Sequence, residues 1–316
     1  MCFLTNHTEK KNDIEKLPCL CYNKRRVLQR KRKGNDSMAY SRVYIEITNI
    51  CNMSCSFCHG HSRTKGMMSY EAFQAVLTAL EGKTQYLYYH LMGEPLLHPE
   101  LPRFLKAAKE QGFHSMITTN GTLLDRCGDA ILEAGVHKVN ISVHSLENCS
   151  ETVFLNYMNR IVSFAEKADK LGVIVVFRLW NSGCDEGLND RVIRFLKNRL
   201  AGEWSENTRG VKIRNKLFLE WGDRFVWPDK EATMYGNDVY CYGMRDHFGI
   251  LCDGTVVPCC LDSDGVIALG NLFETPLDEI LFSPRAQAIK KGFECRTASE
   301  ELCRRCGYAQ RWSLGD

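Results

Sequence analysis

No apolar run in this 316-residue chain approaches the roughly 18 residues that a membrane-spanning helix needs, so no helical span is expected. The first residues are polar and lack the long apolar stretch of a secretory signal. Without such a signal, sixteen cysteines argue against a disulfide scaffold and fit metal ligation in a reducing compartment, here an anaerobic cytoplasm. No internal repeat is present beyond an alternation of strand and helix patterns. A strong overall charge is missing too: the net value is +3. That value hides a contrast, because residues 1–37 hold ten basic against four acidic residues and leave an acidic body. The acidic body argues against a nucleic-acid partner, and the basic stretch is expected to be a solvated, disordered tail. Met38-Ala39-Tyr40-Ser41 reads as a natural start just before the first strand, so removing residues 1–37 should leave activity intact.

Apolar content of 44% and aromatic content of 10% suffice for a packed core. Strand and helix signals alternate between residue 43 and about residue 219. Strands are expected at 43–47, 85–91, 113–118, 138–143, 173–179 and 211–219. Helices are expected from Ser69 along the Phe73, Val76, Leu77 and Leu80 stripe, then over 99–111, 125–135, 151–171 and 188–200. The stretch 201–210 reads as a loop. The fifth strand is almost wholly apolar, as expected where both faces are covered. Repeated βα units imply a parallel sheet with right-handed crossovers. Six units are too few for an eight-fold barrel, so the expected fold is α/β, a partial (β/α)6 barrel over residues 38–221. A linker at 222–240 and a small cysteine-rich extension at 241–316 follow.

Cys51, Cys55 and Cys58 form a C-x3-C-x2-C loop directly after the first strand. Three thiolates from one short loop can hold three irons of a 4Fe–4S cube and leave the fourth open to a small molecule. A zinc site or a set of buried thiols is the alternative, although zinc sites usually pair two C-x2-C knuckles. The loop lies at the carboxyl end of a strand, where open α/β sheets place their ligands. With Phe57 before the third cysteine, the loop resembles the cluster motif of the radical S-adenosylmethionine (SAM) superfamily. The resemblance implies that SAM binds the open iron and is cleaved by one electron to a 5′-deoxyadenosyl radical. It also implies the partial barrel.

Met92-Gly93-Glu94-Pro95 resembles the family's Gly-Gly-Glu motif. Glu94 could accept hydrogen bonds from the SAM ammonium, and Gly93 allows close backbone approach. A plain loop carboxylate is the other reading of Glu94. Thr118-Thr119-Asn120-Gly121 matches a sequence common in the superfamily, although Asn120-Gly121 is also a turn signal. Ser142 ends the fourth strand at the position that contacts the SAM carboxylate or ribose in the family. His144 reads equally as a loop histidine or a substrate contact. Arg178 near the end of the fifth strand could pair with the SAM carboxylate, or sit in a structural ion pair.

The last part of the chain holds Cys241, Cys252, Cys259, Cys260, Cys295, Cys303 and Cys306. Cys241, an Asp-Gly-x-Val-x-Pro-Cys run ending at Cys259, and the Cys303–Cys306 knuckle resemble the SPASM/twitch extension. That resemblance implies one auxiliary 4Fe–4S cluster, with a zinc ribbon as the alternative. Cys260 could replace Cys259, because in an extended segment only one of the pair faces the cluster. Cys252 and Cys295 read as packing residues. Relatives with this extension commonly modify peptides or proteins, which makes a peptide side chain the first expected substrate and a small molecule the second. A non-enzymatic metal-binding scaffold is a distant third reading. A flavodoxin or ferredoxin is the expected electron donor. Cys184, in the loop after the fifth strand, is the candidate hydrogen donor; Cys127 and Cys149 are weaker ones.

Overall fold

The computed structural model describes residues 40–312. The tail at 1–37 and the alternative start at Met38 lie outside the described residues. Strand β1 (Arg42–Ile45) leads through the cysteine loop to helix α1 (Tyr70–Leu80). The Ser69 hydroxyl caps α1 by accepting from the Ala72 N–H at 3.1 Å, and Phe73, Val76, Leu77 and Leu80 form its buried face. β2 (Tyr86–Tyr89), α2 (Leu101–Glu110), β3 (His114–Thr119), α3 (Leu124–Glu133), β4 (Lys138–Ser142), α4 (Glu151–Lys170), β5 (Ile174–Ser182) and α5 (Leu188–Arg199) continue the alternation. These five strands pair in parallel, in chain order.

The sixth unit differs from the expectation. The stretch 211–219 is not one strand. A short β6 (Ser205–Asn207) precedes β7 (Gly210–Arg214), which turns back antiparallel on β8 (Leu217–Asp223), and β8 is the strand that runs parallel to β5. Asn215, at φ +32°, makes the reversal. The Arg214-Asn215-Lys216 break inside a β-rich run hid that turn. The β6–β7 hairpin thus extends the edge where the partial barrel would otherwise end.

The cysteine-rich residues continue the same sheet. β9 (His247–Ile250) pairs in parallel with β1, from Arg42 opposite His247 to Ile45 opposite Ile250. β10 (Thr255–Val257) and β11 (Gly270–Asn271) add antiparallel strands beyond it. The eleven-stranded order is β11-β10-β9-β1-β2-β3-β4-β5-β8-β7-β6. Two helices follow β11, α6 (Leu277–Leu281) and α7 (Pro284–Glu294), because Pro284 cannot continue the first and starts the second. α8 (Glu301–Arg304) carries Cys303, and Cys306 follows two residues past its end.

The convex face of the sheet packs on the helices: Val139, Ile141, Val175, Phe177, Leu179, Leu217 and Leu219 are fully buried. The alternate residues face the concave side. There β5 presents Val176, which is buried, and Ile174, Arg178 and Trp180, which are half-buried, so the expectation of a strand covered on both faces holds fully on the helix side and in part on the other.

Candidate active site

Thr48 pairs with Met67 and closes the neck of the cysteine loop. Asn49 braces it from within, donating to the Thr64 carbonyl at 2.9 Å and accepting from the Gly66 N–H at 2.8 Å. Arg63 anchors it to the sheet. Its guanidinium grips both oxygens of Glu46 at 2.8 and 2.6 Å and donates to the Ser263 carbonyl at 2.8 Å. Glu46 has no exposed surface. The far side of the loop is held by the chain after β8: the Trp227 indole N–H donates to the Phe57 carbonyl at 3.0 Å, and the Asp264 carboxylate accepts from the Ser62 N–H at 2.6 Å. Phe57 lies 4.7 Å, centroid to centroid, from His144.

Cys51 and Cys58 are exposed and Cys55 is half-buried. Burial raises the Cys55 thiol to about 12, and the negative charges of Cys58, Glu147 and Cys51 add to the rise. Cys51 is raised as well, first by burial. Three thiolates this close repel one another unless a cationic centre accepts them, which fits an iron–sulfur cluster.

Glu94 and Asn120 join this loop to the ends of β2 and β3. Gly93 sits at φ +77°, and an added Cβ would lie 2.3 Å from the Thr48 carbonyl oxygen, so only glycine lets the two loops touch. The Glu94 carboxylate is almost wholly buried. It accepts from the Leu96 N–H at 3.0 Å, the Thr119 hydroxyl at 2.7 Å and the Asn120 N–H at 2.7 Å. A carboxylate has about four acceptor sites, so one remains for a ligand cation. Burial lifts Glu94 from 4.5 to about 7, against the pull of its three donors. A carboxyl raised on folding holds its proton more tightly in the native state. Its stabilising contribution is therefore complete below pH 4.5 and is lost as pH rises to about 7. Glu94→Gln is expected to flatten the fall in thermal stability across that window; an unchanged slope would exclude Glu94 as its source.

The Asn120 side chain donates to Asn52 Oδ1 at 2.9 Å, and its Nδ2 lies 4.0 Å from the Cys51 sulfur. From the end of β4, the Ser145 carbonyl oxygen lies 4.0 Å from the Cys55 sulfur, and the Ser142 carbonyl accepts from the Ser145 hydroxyl at 2.7 Å. The fold thus brings Gly93, Glu94, Asn120 and the 142–145 turn to the cysteine loop. Arg178 pairs in register with Ser142 on one side and Glu220 on the other. Its guanidinium stacks 4.7 Å from the Trp180 ring, and its buried Nε has no acceptor. His144 donates from Nδ1 to the Arg178 carbonyl at 3.0 Å, and burial pushes it down to about 4, so it is neutral. The Cys184 thiol is exposed in the turn that follows β5.

The C-terminal thiols meet on the other flank. Cys259 is raised well above the usual thiol value, first by burial and then by Cys260, Cys241, Cys303 and Cys306. Cys303 is raised by burial and by Cys241 and Cys306. The chain bends through 258–261 instead of running extended. Cys260 sits by Tyr44, whose side chain hydrogen-bonds its thiol. Among the described residues no three His, Cys, Asp or Glu side chains close tightly enough to hold a single metal ion. A cluster spreads its thiolates over several irons, which this looser group fits. Cys252 instead packs at the Arg63–Glu46 pair, its N–H donating to Glu46 at 3.3 Å.

Sequence reasoning missed the inner wall. Tyr44 contacts the rings of Tyr88, His90 and His247 at 5.4, 5.2 and 5.3 Å. Burial drives His90 down to about 3 and His247 to about 4, so both are neutral. The available signal was polar residues at every second strand position, such as Arg42-x-Tyr44-x-Glu46 and Lys138-x-Asn140-x-Ser142.

A cysteine-loop cluster site at the carboxyl end of a partial barrel, with a second thiol group beside it, defines an iron–sulfur radical enzyme. Residues 45–179 match the radical SAM superfamily and residues 241–307 the iron–sulfur cluster-binding SPASM domain. The chain belongs to the radical SAM superfamily and carries a SPASM domain. It is an enzyme, and its cofactors are a 4Fe–4S cluster, an auxiliary cluster and SAM. It is 33% identical over 268 residues to a probable GTP 3′,8-cyclase of Sulfolobus acidocaldarius, covering 73% of this chain and 84% of that one. The GTP 3′,8-cyclase of Chlorobaculum tepidum is 35% identical over 191 residues, covering 58% of this chain and 56% of that one. The solved structure of native anSMEcpe with bound AdoMet and Kp18Cys peptide superposes with a TM-score of 0.57 at 14% identity, covering 86% of this chain and 94% of that one. Among the described residues no helix is long and apolar enough to cross a membrane.

Proposed function

We propose that the concave side of the barrel is a reaction chamber in which this enzyme removes a hydrogen atom from a small-molecule substrate. Cys51, Cys55 and Cys58 hold the SAM-binding cluster in this reading, and Cys241, Cys259, Cys303 and Cys306 the auxiliary one. When bound, the first cluster and SAM supply the hydrogen-abstracting radical. The observation that carries the reading is the convergence of Asn120 on Cys51 and of Ser145 on Cys55, each at 4.0 Å. It gives SAM walls on two sides of the cysteine loop.

Glu94 offers its one free acceptor position to the SAM ammonium, Gly93 lets the backbone approach, and Asn120 keeps the loop in register. Ser142 and Arg178 face the carboxylate end of SAM, and the unpartnered Arg178 Nε is the donor suited to it. Neutral His90, His247 and His144 keep further positive charge out of the chamber.

The substrate expectation moves from peptide to small molecule. The relatives similar over most of their length are named for a reaction of GTP. The β6–β7 hairpin also extends the barrel edge beside an open cavity of about 350 Å³, a volume in the range of small-molecule sites. Residues 38–221 would form the radical and 241–316 hold the auxiliary cluster, with a flavodoxin or ferredoxin as donor in an anaerobic cytoplasm. The test is anaerobic. The reconstituted, reduced protein is given SAM and deuterated candidates, nucleoside triphosphates in one set and synthetic peptides in the other. Deuterium in 5′-deoxyadenosine from the first set is expected; label from peptides alone would reject the small-molecule reading.

A further inference from the structure

The open cavity lies on the concave face, at the start of β4 and β5. It is lined by Lys138, Val176, Phe218 and Glu220 and by Thr208 and Arg209 from the turn of the β6–β7 hairpin. Its charges are unbalanced. Burial weighs first against the Lys138 ammonium, Glu220 offsets it, and Arg178, Arg209 and Arg42 add to the pressure. Arg42 is already paired with Asp246 at 2.9 Å. Among the described residues the side chains of Lys138, Arg178 and Arg209 have no ion pair and donate no hydrogen bond. Lys138 and Arg178 are half-buried and Arg209 is exposed at the cavity rim; cations partly withdrawn from water are favoured when a ligand brings the opposite charge.

Arg209 is not on a loose arm. Its N–H donates to Asn207 Oδ1 at 2.9 Å, and its carbonyl accepts from the Trp221 N–H at 3.3 Å. The turn is therefore set over the cavity from the barrel edge. Val176 and Phe218 add an apolar wall between the charged groups. Lys138 is four residues below Ser142 on β4, about 13 Å along the strand. A molecule reaching from Lys138 to the Ser142–Arg178 level has one end among free cations and the other beside the candidate SAM site.

We propose that this cavity docks the anionic end of the substrate, a phosphoryl or carboxylate group held between Lys138 and Arg209, with the reacting carbon at the other end of the chamber. The proposal rests on the reading of the barrel interior as the substrate chamber. It adds the chemical class of the substrate: a small acid or phosphate ester long enough to span the two levels. Glu220 opposite the cations would favour an anion that also presents a donor, such as a hydroxyl.

The test is calorimetric titration of the reconstituted, SAM-loaded protein at low salt with pyrophosphate and, separately, with malonate. Pyrophosphate binding is expected in the wild type, weakened about tenfold or more in both Lys138→Met and Arg209→Ala. Lys138→Arg should restore most of it. Malonate binding with the same residue dependence, and no pyrophosphate binding, would identify the group as a carboxylate and support the same subsite. No binding of either anion, or equal binding by wild type and both variants, would overturn the proposal. Thermal melts identify a variant that fails to fold, and Arg209→Ala, on a surface turn, still decides the matter if Lys138→Met does. Substrate-free formation of 5′-deoxyadenosine is measured in parallel. Its presence without anion binding would reject the subsite alone, and residue-dependent anion binding with no deuterium transfer from any small-molecule candidate would reject the substrate-chamber reading instead.

Discussion

Replacing Cys51, Cys55 and Cys58 together by alanine is expected to reduce 5′-deoxyadenosine formation to the background without SAM cleavage, while leaving the melting temperature within a few degrees of wild type. The two halves of this expectation have separate causes. The thiols are the donor set that a cluster requires, and no other side chain near the loop can replace three thiolates. Cys51 and Cys58 are exposed and Cys55 is half-buried, so their truncation removes little core packing. The loop keeps its shape through Asn49, Arg63 and Trp227, none of which is altered. Anaerobic reconstitution, iron analysis and product quantification check the first half, and a thermal melt of the metal-free proteins checks the second. Product from the triple variant would remove these cysteines from the radical chemistry.

Arg63→Ala should be the most damaging single change outside the cysteines. It strips the partner from Glu46, a carboxylate with no exposed surface, and removes the donor to the Ser263 carbonyl. Removing one member of a buried pair typically costs about 3–5 kcal/mol, since the other charge is left uncompensated. For a chain of this size that corresponds to a fall in melting temperature of roughly 10 °C. The loop between Cys51 and Gly66 would also lose its tie to Glu46 and one of its ties to the C-terminal half, leaving those through Asp264 and Trp227, so iron content should fall with stability. The double variant Glu46→Gln/Arg63→Ala tests the cause. It removes the stranded charge and should recover most of the stability but little of the iron. Equal destabilisation of the single and double variants would show that the ion pair is not what holds the loop.

Local pattern carried the first five βα units. α1 begins at the serine that caps it and buries the four apolar residues spaced for one helix face, and β1 to β5 fall on the β-branched and aromatic runs. The sixth unit failed for a local reason as well. The reversal at Asn215-Lys216 is a short polar break between two β-rich runs, with no glycine or proline to mark a turn, so hairpin and single strand read alike. The cysteine motifs were readable because ligand spacing within one loop is a property of the chain alone. Arg63 was not, because nothing near it in sequence announces Glu46, seventeen residues back, as a buried partner.

By itself the sequence determined the parallel α/β alternation, the two thiol groups and the strand-end positions of Glu94, Asn120 and Ser142, all of which follow from short-range periodicity and spacing. The tertiary structure alone decided that the cysteine-rich segment joins the barrel sheet through β9 and β1, that Glu94 is spent largely on the protein's own N–H and O–H groups, and that Lys138, Arg209 and Glu220 line one cavity. Strand pairing, burial and the meeting of charges depend on residues that are distant along the chain, and these are set by how the sheet curves rather than by any local run of side chains.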